Sequence, residues 1–237
     1  MDPLLITAAS GMKARMESLD ILANNLANTG TAGFKADHEF NGLYQDALPV
    51  IEKQWTDFSQ GVLAPTGNPL HLALSGQGFF ALNSPAGVVY TRGGEFQISK
   101  TKQLQTAEGF TLRNSRDKGK PIAVDPLQPV EIGKDGVVRQ DGREIGQIEL
   151  GGAQPTSDIL RKMGNSYFAL LDPAKPLAKA GDVEVKQGWL EQSNVPVADG
   201  AVRLVSVMRQ FEMLQKALAV GSEMNKHAIE EVARVNG

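Results

Sequence analysis

The 237-residue chain contains no cysteine. Disulfides, thiolate metal sites and a cysteine nucleophile are therefore excluded, and the chain tolerates an oxidising compartment. Histidine is scarce: His38, His71 and His227 lie in different segments, and none has the i, i+4 partner of a zinc helix. There is no basic excess. Twenty-four Lys and Arg face 27 Asp and Glu, for a net charge of −3, which argues against nucleic acid as a partner. No run approaches ~18 uninterrupted apolar residues, so no membrane span is expected. Aromatics are sparse, while 25 glycines point to many turns. The opening Met1-Asp2-Pro3-Leu4 lacks the positive region of a secretory signal peptide. Any route out of the cytoplasm is therefore expected to be a different one.

Catalytic patterns are missing as well. Gly76-Gln77-Gly78 begins a dinucleotide fingerprint but lacks its third glycine, and an apolar strand follows it, so it reads as a turn. Asp135-Gly136 and Asp141-Gly142 lack the twelve-residue calcium pattern. No G-x-S-x-G elbow occurs. Arg92, in YTRGGEF, reads as a structural arginine satisfying turn carbonyls, with an anion site as the alternative. No catalytic residue, cofactor, metal or small-molecule substrate is expected.

What is present is a helical pattern at each end. Asp2 can cap a helix that begins at Pro3 and runs to about Asn28. Leu5, Ala8, Met12, Met16, Leu19, Ala23 and Leu26 make one apolar stripe along it. Asn24, Asn25 and Asn28 fall on the side away from that stripe, with Ile6, Thr7 and Ile21. Few charges line the helix, which predicts contact on both sides. A second helix spans roughly 195–235, capped by Ser193 or Asn194. Leu204, Phe211, Leu218, Asn225 and Val232 are spaced by seven, and Met208, Gln215, Ser222 and Ile229 form a companion series. At 1.5 Å per residue this helix is about 55–60 Å long, too long to be buried by the rest of one chain.

Between the helices lie short β-rich runs: HLALS (71–75), GFFAL (78–82), VVYTR (88–92), GFTLR (109–113), GVVRQ (136–140), IGQIEL (145–150), SYFALL (166–171) and VEVKQGWL (183–190). Asp135-Gly136 and Asp141-Gly142 are hairpin signals. The fold class is α+β, with long N- and C-terminal helices pairing as a coiled-coil-like layer around a central antiparallel β domain. Four segments are expected: helix and turn at 1–35, an extended connector at 36–70, a β domain at 71–190 and the C-terminal helix at 191–237.

ANNLANTGTAGFK (23–35) resembles the N-terminal signature of flagellar basal-body rod and hook proteins, through Asn24, Asn25, Leu26, Ala27, Asn28, Thr31, Gly33, Phe34 and Lys35. QGVLAPTGNPLHLALSGQGFF (60–80), YTRGGEF (90–96) and QTAEGF (105–110) resemble the family's β domain. Gly188, Leu190, Glu191, Ser193, Asn194 and Val195 resemble its junction into the last helix, and Arg209-Gln210-Phe211-Glu212 with Lys216 resemble that helix's middle. His71, where aspartate is usual, and Gly200, where a better helix former is usual, depart from the pattern. Only Ala36 to Ser59 separates the Gly-Phe-Lys signature from the QG-x-L segment, which is most like the proximal rod members.

The resemblance implies a structural, non-enzymatic subunit that polymerises into the drive shaft of the flagellum. Its expected partners are copies of itself, other rod proteins and the type III export apparatus. Its expected place is the basal-body rod in the periplasmic space, reached without a cleaved signal peptide. Subunit packing is assigned to Leu5, Met12, Leu19, Asn24, Asn25, Leu26 and Asn28 on the first helix and to Leu204, Met208, Phe211 and Leu218 on the second. Thr31, Gly33, Phe34 and Lys35 form the signature turn. A distal rod or hook-type protein is the alternative within the family. A β-domain adaptor whose helices bind an unrelated partner is the alternative outside it.

Overall fold

A computed structural model describes residues 3–43, 49–152, 159–164, 166–172, 175, 177–178 and 180–235. The fold is α+β, with a helix at each end and a central set of antiparallel strands. The chain divides into two compact units. One holds α1 (Pro3–Ala27), β1 (Asp37–Leu43), nearly all of β2 (Pro49–Thr56) and α2 (Val197–Val235). The other runs from Asn28 to Ala36 and from Thr56 to Val195.

In the first unit α1 packs on α2, and β1 pairs with β2. The stretch read as an extended connector thus contains a two-stranded ribbon and, further on, a short strand of the β unit. The side of α1 that becomes buried is a row of small residues: Ala8, Gly11, Ala14 and Ser18. Ser18 turns its hydroxyl back onto the Ala14 carbonyl at 3.0 Å, which hides its polarity. The apolar stripe lies about a third of a turn away. Of that stripe only Ala8 is buried, Met12, Leu19 and Leu26 are partly buried, and Met16 and Ala23 are exposed. The side chain of Leu5 lies outside the described residues.

On α2 the sheltered residues are Gly200, Leu204, Val207, Gln210, Phe211, Leu214, Leu218, Gly221 and Asn225. The seven-residue series of Leu204 is thus the one turned inward. Its companion is Val207, Leu214 and Gly221, three residues on. The expected companions Met208, Gln215 and Ser222 are exposed, while the side chains of Ile229 and Val232 lie outside the described residues. Small residues on one helix let a second helix approach closely, and α1 and α2 are in contact.

The β unit contains β3 (Leu63–Pro65), β4 (Leu72–Ser75), β5 (Phe79–Ser84), β6 (Gly87–Thr91), β7 (Gln97–Ile98), β8 (Leu104–Gln105), β9 (Thr111–Leu112), β10 (Glu131–Ile132), β11 (Val137–Gln140), β12 (Arg143–Gln147), β13 (Leu150–Gly151), β14 (Leu160–Lys162), β15 (Tyr167–Leu170), β16 (Glu184–Gln187) and β17 (Trp189–Glu191). The largest sheet runs β14-β15-β6-β5-β9-β8-β7, with β13 added beside β5. β10-β11-β12 form a meander, and β16 pairs with β4 as β17 does with β3. All pairings with a defined register are antiparallel.

β5 explains why GFFAL reads as an unbroken apolar run. Phe80 and Leu82 enter a core with Leu72, Leu74, Phe96, Leu104, Leu112 and Val138. Phe79 and Ala81 point the other way, against Tyr90, Leu160 and Phe168. The strand is covered on both faces, so alternation with polar residues is lost. Asp141-Gly142 is the two-residue hairpin turn expected of it. Gln140 stands opposite Arg143, and both turn residues have positive φ, 49° and 70°.

Two phenols in this unit are shielded. Tyr90 is buried, and Tyr167 donates to a Glu108 carboxylate oxygen at 2.5 Å with its ring edge-on to Phe110. Burial raises both above the ordinary phenol value of 10, and for Tyr167 the bond to Glu108 adds to the rise. Below pH ~10 both states keep these protons. Above it the unfolded chain releases protons that the fold retains, so this contribution to stability falls as pH rises. Absorbance titration of the folded protein should show Tyr90 and Tyr167 ionising above pH ~10, Tyr167 the later of the two, and Tyr167→Phe should remove one late step. Titration of every phenol together near pH ~10 would contradict this placement.

Candidate functional site

The signature turn begins where α1 ends. Asn28 caps it: its carbonyl accepts the Thr31 N–H at 3.1 Å, and its side-chain oxygen accepts the Thr31 hydroxyl at 3.2 Å. Gly33 follows with φ 67°, a conformation L side chains resist. Its N–H donates to the Glu191 carbonyl at 2.7 Å. Phe34 is fully buried, with the Lys162 ammonium 3.7 Å above its ring centroid. The same ammonium donates to the Lys35 carbonyl at 2.8 Å.

Lys35 ends the turn inside the β unit. Its Nζ lies 2.6 Å from Glu191 Oε1 and donates to the Ser59 carbonyl at 2.5 Å. Arg92 reaches the other carboxylate oxygen through Nη1 at 3.0 Å, and its Nη2 donates to the Gly76 carbonyl at 2.6 Å. The Gly61 N–H completes the shell of Glu191 at 2.9 Å. Lys35, Arg92 and Glu191 are 0, 2 and 0% exposed. Three charges are thus buried together, two positive and one negative. Burial lowers the basicity of both Lys35 and Arg92, and the Glu191 carboxylate pulls each part of the way back.

A ring of three hydrogen bonds lies beside the ions. The Ala36 N–H donates to Asn194 Oδ1 at 2.8 Å, Asn194 Nδ2 donates to the Asp57 carbonyl at 2.9 Å, and the Asp57 N–H donates to the Ala36 carbonyl at 2.8 Å. Three stretches of chain remote in sequence are tied at one point.

The signature turn, YTRGGEF and the Gly188–Val195 junction therefore meet at one carboxylate. Thr31, Gly33, Phe34 and Lys35 are brought together as a turn, and they belong to the β unit. Arg92 bonds turn carbonyls as the sequence indicated, and the anion beside it is Glu191. The sequence reading gave Glu191 no role. The signal was there: opposite charges inside otherwise apolar motifs, GFK and GWLE. The three asparagines separate. Asn25 is buried, and both ends of its amide are used in its own unit: Nδ2 donates to the Asp37 carbonyl at 2.7 Å, and Oδ1 accepts the Asp37 N–H at 2.9 Å. Asn25 thus has the local role of holding β1 to the end of α1, and Asn28 that of a turn cap. Asn24 is exposed. Gly76-Gln77-Gly78 is the turn between β4 and β5. His71 bonds Thr66 through Nδ1 at 3.0 Å. Among the described residues no cluster of metal-ligating side chains occurs, and no helix is long and apolar enough to cross a membrane.

A β unit locked by buried ions, flanked in sequence by helices that leave valine and methionine exposed, defines a structural protein of the assembling kind. Comparison with known proteins narrows the class. The family model for flagella basal body rod proteins matches residues 5–35. The flagellar hook protein FlgE/F/G D1 domain matches 73–140, and the C-terminal region of flagellar basal body rod FlgEFG proteins matches 186–231. The chain is 33% identical to a flagellar basal-body rod protein FlgF of Mesorhizobium japonicum over 220 residues, covering 90% of each chain. It is 31% identical to FlgF of Caulobacter vibrioides over the whole of both chains, and 28% identical to FlgG of Bacillus subtilis over 93% of this chain and 95% of that one. The chain belongs to the flagellar basal-body rod protein family, and it is a structural subunit of the basal-body rod.

Proposed function

We propose that this subunit polymerises through α1 and α2, in a coiled-coil-like layer, into the proximal part of the drive shaft that carries torque to the hook. One observation carries the reading: α2, 39 residues long, shelters one face on α1 and leaves its other apolar side chains in water. Met12, Leu19, Asn24, Leu26 and Leu5 on α1, with Met208 beside the Leu204, Phe211 and Leu218 row of α2, are the side chains assigned to neighbouring subunits. Copies of the chain and sister rod proteins are the partners. Export through the type III apparatus, without a cleaved signal, delivers the chain to the periplasmic rod. Repeated contacts that do not close into a ring supply the stiffness.

Phe211→Asp and Leu26→Asp place a charge in this layer, while the β unit has a core of its own. Each variant is expected to be stable and exported, to be absent from isolated basal bodies, and to leave cells non-motile. Swimming cells carrying Leu26→Asp would remove the basis for helix-driven assembly.

A further inference from the structure

The β unit holds a cleft of about 700 Å³, within the usual range of ligand sites. Ile148, Leu150, Leu177 and Val183 line part of it. Five charged side chains line the rest: Arg113, Arg116, Lys118, Asp135 and Glu149. Their pairing is uneven. Arg113 Nε lies 3.0 Å from Glu149 Oε2, and its Nη1 donates to Asn83 Oδ1 at 2.8 Å. Arg116 Nη1 lies 2.7 Å from Glu144 Oε2. Lys118 and Asp135 are left over. Both are exposed, and among the described residues neither has an ion-pair partner, not even the other.

Each of the two stands on a tight turn. Lys118 and Gly119 have φ of 49° and 78°, and the Lys120 N–H closes their turn on the Asp117 carbonyl at 2.9 Å. The first of these positions favours asparagine, aspartate or glycine. Lysine resists it, so the chain holds this ammonium here at some cost in stability. Asp135 sits in a turn closed by the Gly136 N–H on the Gly133 carbonyl at 2.9 Å, and its Oδ1 accepts the Val137 N–H at 3.1 Å. Gln147 braces both turns: its Nε2 donates to the Asp135 carbonyl at 3.0 Å, and its Oε1 accepts from Arg116 Nε at 3.4 Å. Two opposite charges are thus fixed on one cleft and left unmatched.

A lone phosphate or carboxylate would answer Lys118 and leave Asp135 without a partner. An apolar molecule would answer neither. A short stretch of peptide with an acidic and a basic side chain on either side of an apolar one answers both and covers the apolar part of the cleft. We propose that the cleft binds such a segment of a partner protein, with its carboxylate on Lys118 and its cationic side chain on Asp135. The site lies wholly within the β unit and uses none of the helix residues assigned to assembly.

Saturation-transfer NMR on the full-length protein tests this with terminally blocked tripeptides. One carries glutamate, leucine and lysine, and its neutral counterpart carries glutamine, leucine and glutamine. The charged peptide is expected to bind roughly fivefold more tightly, as two exposed ion pairs allow. Asp135→Lys is expected to move the preference to a peptide with glutamate on both sides of leucine, a result that damage to the fold does not mimic. Lys118→Asn, which suits its turn better, is expected to raise the melting temperature while weakening binding of the charged peptide. Equal binding of the charged and neutral peptides overturns the site. So does binding of the charged peptide that is unchanged in both Lys118→Asn and Asp135→Lys.

Discussion

Full-length protein carrying Glu191→Gln is expected to lose about 3–5 kcal/mol of β-unit stability, read as a fall in the urea midpoint. The substitution keeps the shape and removes the only negative charge of the buried cluster. Lys35 and Arg92, at 0 and 2% exposure, are then left facing each other without a counter-ion. The loss has a pH signature. Burial already holds Lys35 below 10.5, and Glu191 is the group that pulls it back up, so the variant lowers it further. Between the folded and unfolded values of this lysine, the unfolded chain binds a proton that the fold does not. Stability therefore rises with pH across that window. The deficit of Glu191→Gln should shrink as pH rises through the lowered titration of Lys35 in the variant, since the neutral amine needs no counter-ion. Adding Lys35→Met should recover part of the loss at about pH 7 and flatten the slope. A deficit independent of pH, or an additive double variant, would show that the two side chains do not act as a unit.

Gly33→Ala is expected to be as damaging, for a different reason. A Cβ there lies 2.2 Å from the Arg92 carbonyl carbon and 2.3 Å from the Gly93 nitrogen, both backbone atoms that no rotamer change can move. The positive φ alone costs roughly 1–2 kcal/mol in a residue with a side chain. Gly67→Ala isolates that part, because Gly67 has φ 73° and open space around its Cβ direction. The two variants should differ by several kcal/mol in thermal or urea unfolding, with only Gly33→Ala abolishing motility in complementation. Equal effects would mean that the close approach to residues 92 and 93 is not what selects glycine here.

Both helices and most longer strands were legible in the sequence because each carries its period within a few turns. The Leu204, Phe211, Leu218 series picked out the inward row of α2, and the Asp141-Gly142 signal fixed a hairpin. The inward face of α1 was not legible. Its apolar stripe was plain, yet burial went to Ala8, Gly11, Ala14 and Ser18, because close approach of two helices is decided by what lets backbones near each other. A pattern of apolar residues shows which side avoids water, not which neighbour covers it. The ribbon of β1 and β2 was missed because DHEFNGL is weak in β-branched residues and alternates poorly. The ionic cluster was illegible for a third reason. Lys35 and Glu191 stand 156 positions apart, and no local rule couples them. The motifs holding them were recognisable as a family signature. Their physical content, a carboxylate shared by three segments, needed the folded chain.

The ring linking Ala36, Asp57 and Asn194 has a mechanical consequence. The backbone leaves the β unit beside all three residues. A pull on any one exit is shared with the other two through these bonds. Parting the chain from the β unit at any one of these exits therefore means breaking a bond to each of the other two.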